Sequence, residues 1–118
     1  MILSLVLPRM GGEISRPGTV RRVMASAGDS LRPGTPLMEV RVDLDEANAR
    51  DCPAVIIYRL IATERAYLRT LLVSPGDVID GSASFGLATT TPDEAMQAAA
   101  VRALRTTSVS IMVDPLSG

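Results

Sequence analysis

Few residues in this 118-residue chain can do chemistry, and their types exclude more than they suggest. There is no histidine and one cysteine, Cys52. A Ser-His-Asp or Cys-His relay therefore has no base, and zinc or haem sites of the usual kind have no ligands. All twelve basic residues are arginines, so the chain also lacks lysine. A phosphate-binding loop of the P-loop type needs that lysine within a strand–loop–helix unit, and neither is present. Three polar groups remain. Arg59, Arg65 and Arg69 carry planar forks suited to carboxylate or phosphate. With Tyr58 and Tyr67 they would equip a small-molecule pocket; a plain solvent-facing strand explains the same spacing. Asp43, Asp45, Glu46 and Asp51 form an acidic cluster with only Arg41 and Arg50 nearby, which suits either a basic protein partner or a solvated loop. Cys52, beside Pro53 and close to Arg50, is a reactive thiol or an incidental small residue. The six methionines read as core filler.

The bulk properties frame these groups. Hydrophobic residues make up 47% of the chain, above what a disordered segment carries, and the formal net charge is −1. Near-neutral charge leaves no general footprint for nucleic acid or an anionic membrane. The only aromatics are Tyr58, Tyr67 and Phe85, too few for base-stacking platforms. The core must come from Val, Ile, Leu, Met and Ala. A single cysteine excludes an intramolecular disulfide framework. The opening ILSLVL lacks a basic flank and reads as a strand, not a leader, and no run approaches the length of a membrane span. A cytoplasmic protein is the default expectation.

The elements that position the polar groups are short and β-prone. Residues 2–7 are an apolar run closed by Pro8. Val20, Val23 and Met24 begin a second strand ending at Gly28-Asp29, and a third runs from about Leu37 to Val42. Residues 43–53 have the composition of a loop. Val55, Ile56, Ile57, Tyr58 and Ile61 mark a strand from Ala54 to Ala62. Tyr67–Val73 leads into Pro75-Gly76-Asp77, and Phe85–Thr89 closes the β region. Short strands with turn signals at this spacing predict an all-β sandwich or barrel.

Two turns repeat. AGDSLRPGTPL at 27–37 and SPGDVIDGSASFGL at 74–87 both read strand, Gly-Asp, aliphatic residue, Gly, strand. The two Gly-Asp pairs lie 48 residues apart (76 − 28). Glycine supplies a positive φ, aspartate satisfies nearby backbone donors, and the following aliphatic residue (Leu31, Ile79) points into the core. Such a repeat suggests two interlocking halves related by approximate two-fold symmetry. The second copy is one residue shorter before its closing glycine, Gly81 against Gly34.

On these turns, with LVLPRMGGEI at 5–14, Gly18-Thr19-Val20, AGDSLRPGTPLMEV at 27–40 and RAYLRTLLVSPGDVIDG at 65–81, the first 90 residues resemble a biotinyl/lipoyl carrier domain, nearer its lipoyl branch. The resemblance implies a flattened β-barrel or sandwich of two pseudo-symmetric halves. It also implies an exposed hairpin tip bearing a modified lysine in a Glu-x-x-Asp-Lys pattern. The corresponding run here is Glu39-Val40-Arg41-Val42-Asp43-Leu44, one residue longer between glutamate and aspartate, and Leu44 stands where the lysine would be. The family's cofactor is carried as an amide on that amine, hence no cofactor is expected. An arginine-for-lysine bias from a GC-rich genome explains the absence as well as a functional loss does. The connection after Asp43 is longer than the family's, which reads as an elongated hairpin tip or flap.

The C-terminus adds Thr91-Pro92-Asp93-Glu94, a capping-box arrangement predicting a helix from about Pro92 to Arg105. Met96, Ala99, Ala100, Ala103 and Leu104 would form its apolar face. Ser108–Val113 reads as a strand joining a sheet edge. The expected organisation is a lipoyl-like sandwich over 1–90 with a helix–strand extension over 91–118 packed on it. The expected function is a degenerate, non-lipoylated binding module without catalysis, docking a protein partner through the 43–53 hairpin at Asp43, Leu44, Asp45 and Glu46. The competing readings are a small-molecule binder or cofactor-free enzyme, such as a cyclase, acting through Tyr58, Arg59, Arg65, Tyr67 and Arg69, and a homo-oligomer pairing through the C-terminal strand.

Overall fold

The computed structural model describes residues 1–7, 17–44, 54–79 and 83–113. These residues form strands β1 (Ile2–Leu5), β2 (Gly18–Val23), β3 (Ser30–Leu31), β4 (Pro36–Leu44), β5 (Ala54–Ala62), β6 (Ala66–Leu71), β7 (Val78–Ile79), β8 (Gly86–Thr89), β9 (Arg102–Ala103) and β10 (Thr106–Val113). No helix forms among them. One sheet has the order β3-β6-β8-β1-β9 and the other β10-β5-β4-β2-β7. They do not close into a barrel. Alternation along the strands sends one set of side chains inward. Leu3 and Leu5 of β1, Leu68 of β6 and Ala88 of β8 meet Val20 of β2, Val40 and Val42 of β4 and Leu60 of β5 in one core cluster.

The two Gly-Asp turns fold alike. Gly28 and Gly76 both take φ +98°, a region open to glycine and costly for other residues. Asp29 Oδ2 accepts the Ser26 amide at 2.8 Å, and Asp77 Oδ2 accepts the Ser74 amide at the same distance. Each turn then clasps the other half. Gly28 N donates to Leu68 O and Leu68 N to Asp29 O, while Gly76 N donates to Val20 O and Val20 N to Asp77 O. The register follows the same exchange. Ser30 and Leu31 pair with Tyr67 and Ala66, just as Val78 and Ile79 pair with Thr19 and Gly18. The β2–β4 and β6–β8 ladders carry a bulge at the equivalent place, β2 between Val20 and Arg22 and β6 between Leu68 and Thr70. Leu31 and Ile79 are both buried in the core. Two copies of one local motif, each unable to complete its own hydrogen bonds, complete each other's.

The helix predicted from Pro92 to Arg105 does not form; residues 91–101 are turns and irregular chain, followed by β9. The capping box fails at its first contact, because the Thr91 hydroxyl donates to Glu94 Oε1 at 3.2 Å and does not cap a backbone amide. Extended partners capture the groups a helix needs. Arg69 Nη1 donates to Glu94 O, Val101 N to Ile2 O and Leu104 N to Ser4 O. The supposed apolar face was mostly alanine, with little area to bury, and a short helix without a buried face is marginal in water. Ala99, Ala100 and Ala103 remain exposed, and only Leu104 (3% exposed) enters the core. Beyond it β10 forms at the edge of the second sheet, paired with β5 from Thr106↔Ala62 to Val113↔Ile56.

Glu64, in the turn between β5 and β6, fastens this returning chain. Arg102 Nη1 and Nη2 donate to its two oxygens at 2.7 and 2.8 Å, and the Arg105 amide donates at 2.7 Å. The Arg102 guanidinium first, then the Arg105 amide, outweigh partial burial and lower the Glu64 pKa from 4.5 to about 2. A depressed carboxylate pKa means that the unfolded chain takes up a proton before the folded one does. The stabilisation is therefore complete above pH 4.5 and is lost as the pH falls through about 2. Glu64→Gln is expected to lower the thermal midpoint at pH 7 by roughly 3–6 °C. It should also flatten the decline of the midpoint between pH 4.5 and about 2. An unchanged acid limb in calorimetric scans of the variant would assign that decline to other groups.

Candidate functional site

The polar residues singled out by sequence fall on different sheets. Tyr58 and Arg59 lie on β5 of the second sheet, whereas Arg65, Tyr67 and Arg69 lie on or beside β6 of the first. The turn joining β5 to β6 carries the chain from one sheet to the other, so the described strands do not bring all five onto one face. Tyr58 points into the core at 7% exposure. Arg59 is committed elsewhere: its Nη2 donates to Glu39 Oε2 at 2.9 Å, and Arg21 Nη1 approaches Glu39 Oε1 at 3.7 Å. Glu39, only 4% exposed, is thus a buried carboxylate held between two arginines on the second sheet. That arrangement is structural, since a buried charge needs such partners.

The first sheet does assemble a site. Ala66 and Leu68 are buried, so the alternation of β6 turns Arg65, Tyr67 and Arg69 outward in a row. The neighbouring strand supplies what sequence reading missed. With Ser30 opposite Tyr67 and Leu31 opposite Ala66, the next residues out, Arg32 after β3 and Arg65 before β6, meet at the end of the ladder. Ser30, Arg32, Arg65 and Tyr67 line a groove of about 340 Å³ floored by Leu31 and Ala66. A second groove of about 350 Å³, lined by Ala27, Gly28, Tyr67, Leu68, Arg69 and Pro92, adjoins it across Tyr67. Arg69 Nη1 is held by Thr89 Oγ1 at 3.3 Å and Glu94 O at 2.8 Å, both uncharged acceptors. Neither the Arg32 nor the Arg65 guanidinium has a hydrogen bond or ion pair with any described residue. The signal for Arg32 was present in the repeated turn, but a two-residue strand such as β3 is too short to be read from periodicity.

The other sequence-based candidates lie at the end of the hairpin between β4 and β5. Asp43 pairs with Val55, and Leu44 with Ala54, as the last rungs of the ladder. Asp45, Glu46, Asp51 and Cys52 lie outside the described residues. No protein-family model, curated protein or solved structure matches the chain.

Proposed function

We propose that the chain is a carrier-like binding module on a lipoyl-like sandwich, without the amine that would take a cofactor. It docks a protein partner through the end of the β4–β5 hairpin, at Asp43, Leu44, Asp45 and Glu46. The observation that carries this reading is how far the hairpin runs. Among the described residues β2 pairs with β4 as far as Thr19↔Arg41, while β4 and β5 stay paired to Leu44↔Ala54. The end of the hairpin therefore reaches past the β2 ladder, where a lipoyl-like domain presents its modified residue. The exchange of hydrogen bonds between the two Gly-Asp turns supports the same scaffold. Absence of lysine rules out the amide-linked cofactor on this chain. The acidic residues around Leu44 favour a basic partner surface.

Native mass spectrometry of the protein drawn gently from its own host is the direct test, and a stoichiometric protein partner is the expected result. With that complex in hand, Leu44→Asp should weaken it at least tenfold, about 1.4 kcal/mol. The thermal midpoint should stay within roughly 2 °C of the parent. Unfolding by Leu44→Asp would instead place Leu44 in the core and remove the hairpin end from consideration. Leu44→Lys, offered to a lipoate ligase, checks the alignment from the other side: a gain of one lipoyl group in mass supports it.

A further inference from the structure

We propose that the groove between β3 and β6 binds the phosphoryl group of a small phosphate monoester, clamped by Arg32 and Arg65. The site is separate from the hairpin and stands whether or not the hairpin docks a partner. Its first support is the register. Continuing the Ser30↔Tyr67 and Leu31↔Ala66 register by one residue brings Arg32, just past β3, across from Arg65, just before β6, and both line the one groove; side-chain roots at such positions lie about 5 Å apart. Like charges directly opposite each other destabilise a sheet. The usual remedy, an acidic neighbour, is missing, since neither guanidinium meets a carboxylate among the described residues. Elsewhere on the same fold arginines do find acids: Arg59 and Arg21 at Glu39, and Arg102 at Glu64. This like pair, without a carboxylate partner among the described residues, lines the groove that we assign to an anion.

The chemistry of that counter-ion follows from the groove. Two guanidinium forks match the oxygens of a phosphoryl group bidentately. A dianion balances the pair, whereas a monocarboxylate leaves one positive charge over. Ser30 and Tyr67 border the same groove and add hydroxyl groups for the remaining oxygens. The volume of about 340 Å³ suits a small molecule. A formal net charge of −1 gives the chain no general electrostatic pull on a nucleic acid backbone. The organic part of the ester would lie across Tyr67 in the adjoining groove, against Ala27 and Pro92. Arg69 stands at that end with its charge uncancelled, held only by neutral acceptors.

The test uses the full chain with phenyl phosphate as probe and benzoate as the singly charged control. Tyr67 is one of two tyrosines in a chain without tryptophan, and Tyr58 is buried in the core, so Tyr58 supplies a constant background and the change in tyrosine fluorescence on binding reports on the groove. Calorimetry gives the affinity independently. Phenyl phosphate is expected to bind at least tenfold tighter than benzoate and to raise the thermal midpoint by mass action. Arg32→Gln and Arg65→Gln should each weaken it at least tenfold. Arg32→Glu, which turns the like pair into an opposite one, should raise the midpoint of the phosphate-free protein by a few degrees and abolish the phosphate-dependent shift. Equal binding of phenyl phosphate and benzoate, no binding of either, or undiminished binding by both glutamine variants overturns the proposal. A midpoint lowered by Arg32→Glu would overturn the cross-strand placement on which it rests.

Discussion

Replacing Leu68 with alanine is expected to remove about 3–4 kcal/mol of folding free energy. Leu68 sits on β6 with no exposed surface. Its backbone is clasped on both sides by the first Gly-Asp turn, through Gly28 N and Asp29 O at 2.7 and 2.9 Å. That clasp holds the strand in place and limits collapse into the space left by the deleted side chain. The loss therefore includes the cavity as well as the lost transfer of apolar surface out of water. Domains of this size have roughly 5–15 kcal/mol in total, so the variant should denature in markedly less urea and melt roughly 12 °C lower. A loss below about 1 kcal/mol would mean that the strand closes the gap and that the clasp is not rigid. The equivalent position in the other half is Val20, clasped by the second turn in the same way.

Gly86→Ala should be nearly as damaging, at about 2–4 kcal/mol, for a different reason. A Cβ on Gly86 would stand 2.5 Å from the carbonyl oxygen of Thr70 and 3.5 Å from the Cα of Leu71, with Leu5 Cδ2 at 3.4 Å. The first contact is backbone, inside a ladder where Leu71 pairs with Gly86 next to the β6 bulge. Relief requires prying β6 from β8, at the cost of hydrogen bonds in the middle of the first sheet. Gly28→Ala is the control. Its Cβ would meet nothing within 4 Å, so only the φ of +98° resists it, at a cost of about 1 kcal/mol. Urea titrations of the two variants should rank them clearly. Similar losses would show that crowding at Gly86 is relieved by a small shift of the strands.

These two positions also show which parts of the fold were readable in advance. The Gly28 turn is local chemistry: Gly-Asp, a serine amide three residues back, and an aliphatic residue to follow. All of it lies within a few residues, and it was legible. The tight spot at Gly86 depends on which strand lies beside β8, and no local pattern carries that. The same divide runs through the candidate site. Arg65, Tyr67 and Arg69 form an alternating row visible in the sequence. Arg32 joins them only through the pairing of β3 with β6, and Tyr58 and Arg59 leave them only because β5 belongs to the other sheet. The hairpin from β4 to β5 was expected from the family resemblance; the exchange of clasps between the halves needed the fold.

The sequence by itself determined the all-β class, both Gly-Asp turns, the strand from Ala54 to Ala62 and the absence of any lysine for a carried cofactor. Such features depend on residue identity and on interactions within a few positions, and no tertiary context can supply an amine that the chain lacks. Tertiary structure alone decided the fate of residues 92–105. Their capping signals and alanines favoured a helix by propensity, worth only tenths of a kcal/mol per residue. Hydrogen bonds to Ile2, Ser4 and Arg69, the Glu64–Arg102 pair and the burial of Leu104 together outweigh it. Tertiary structure likewise brought Arg32 and Arg65 to one groove, because the pairing of a two-residue strand is dictated by its partner and the core beneath it, not by its own sequence.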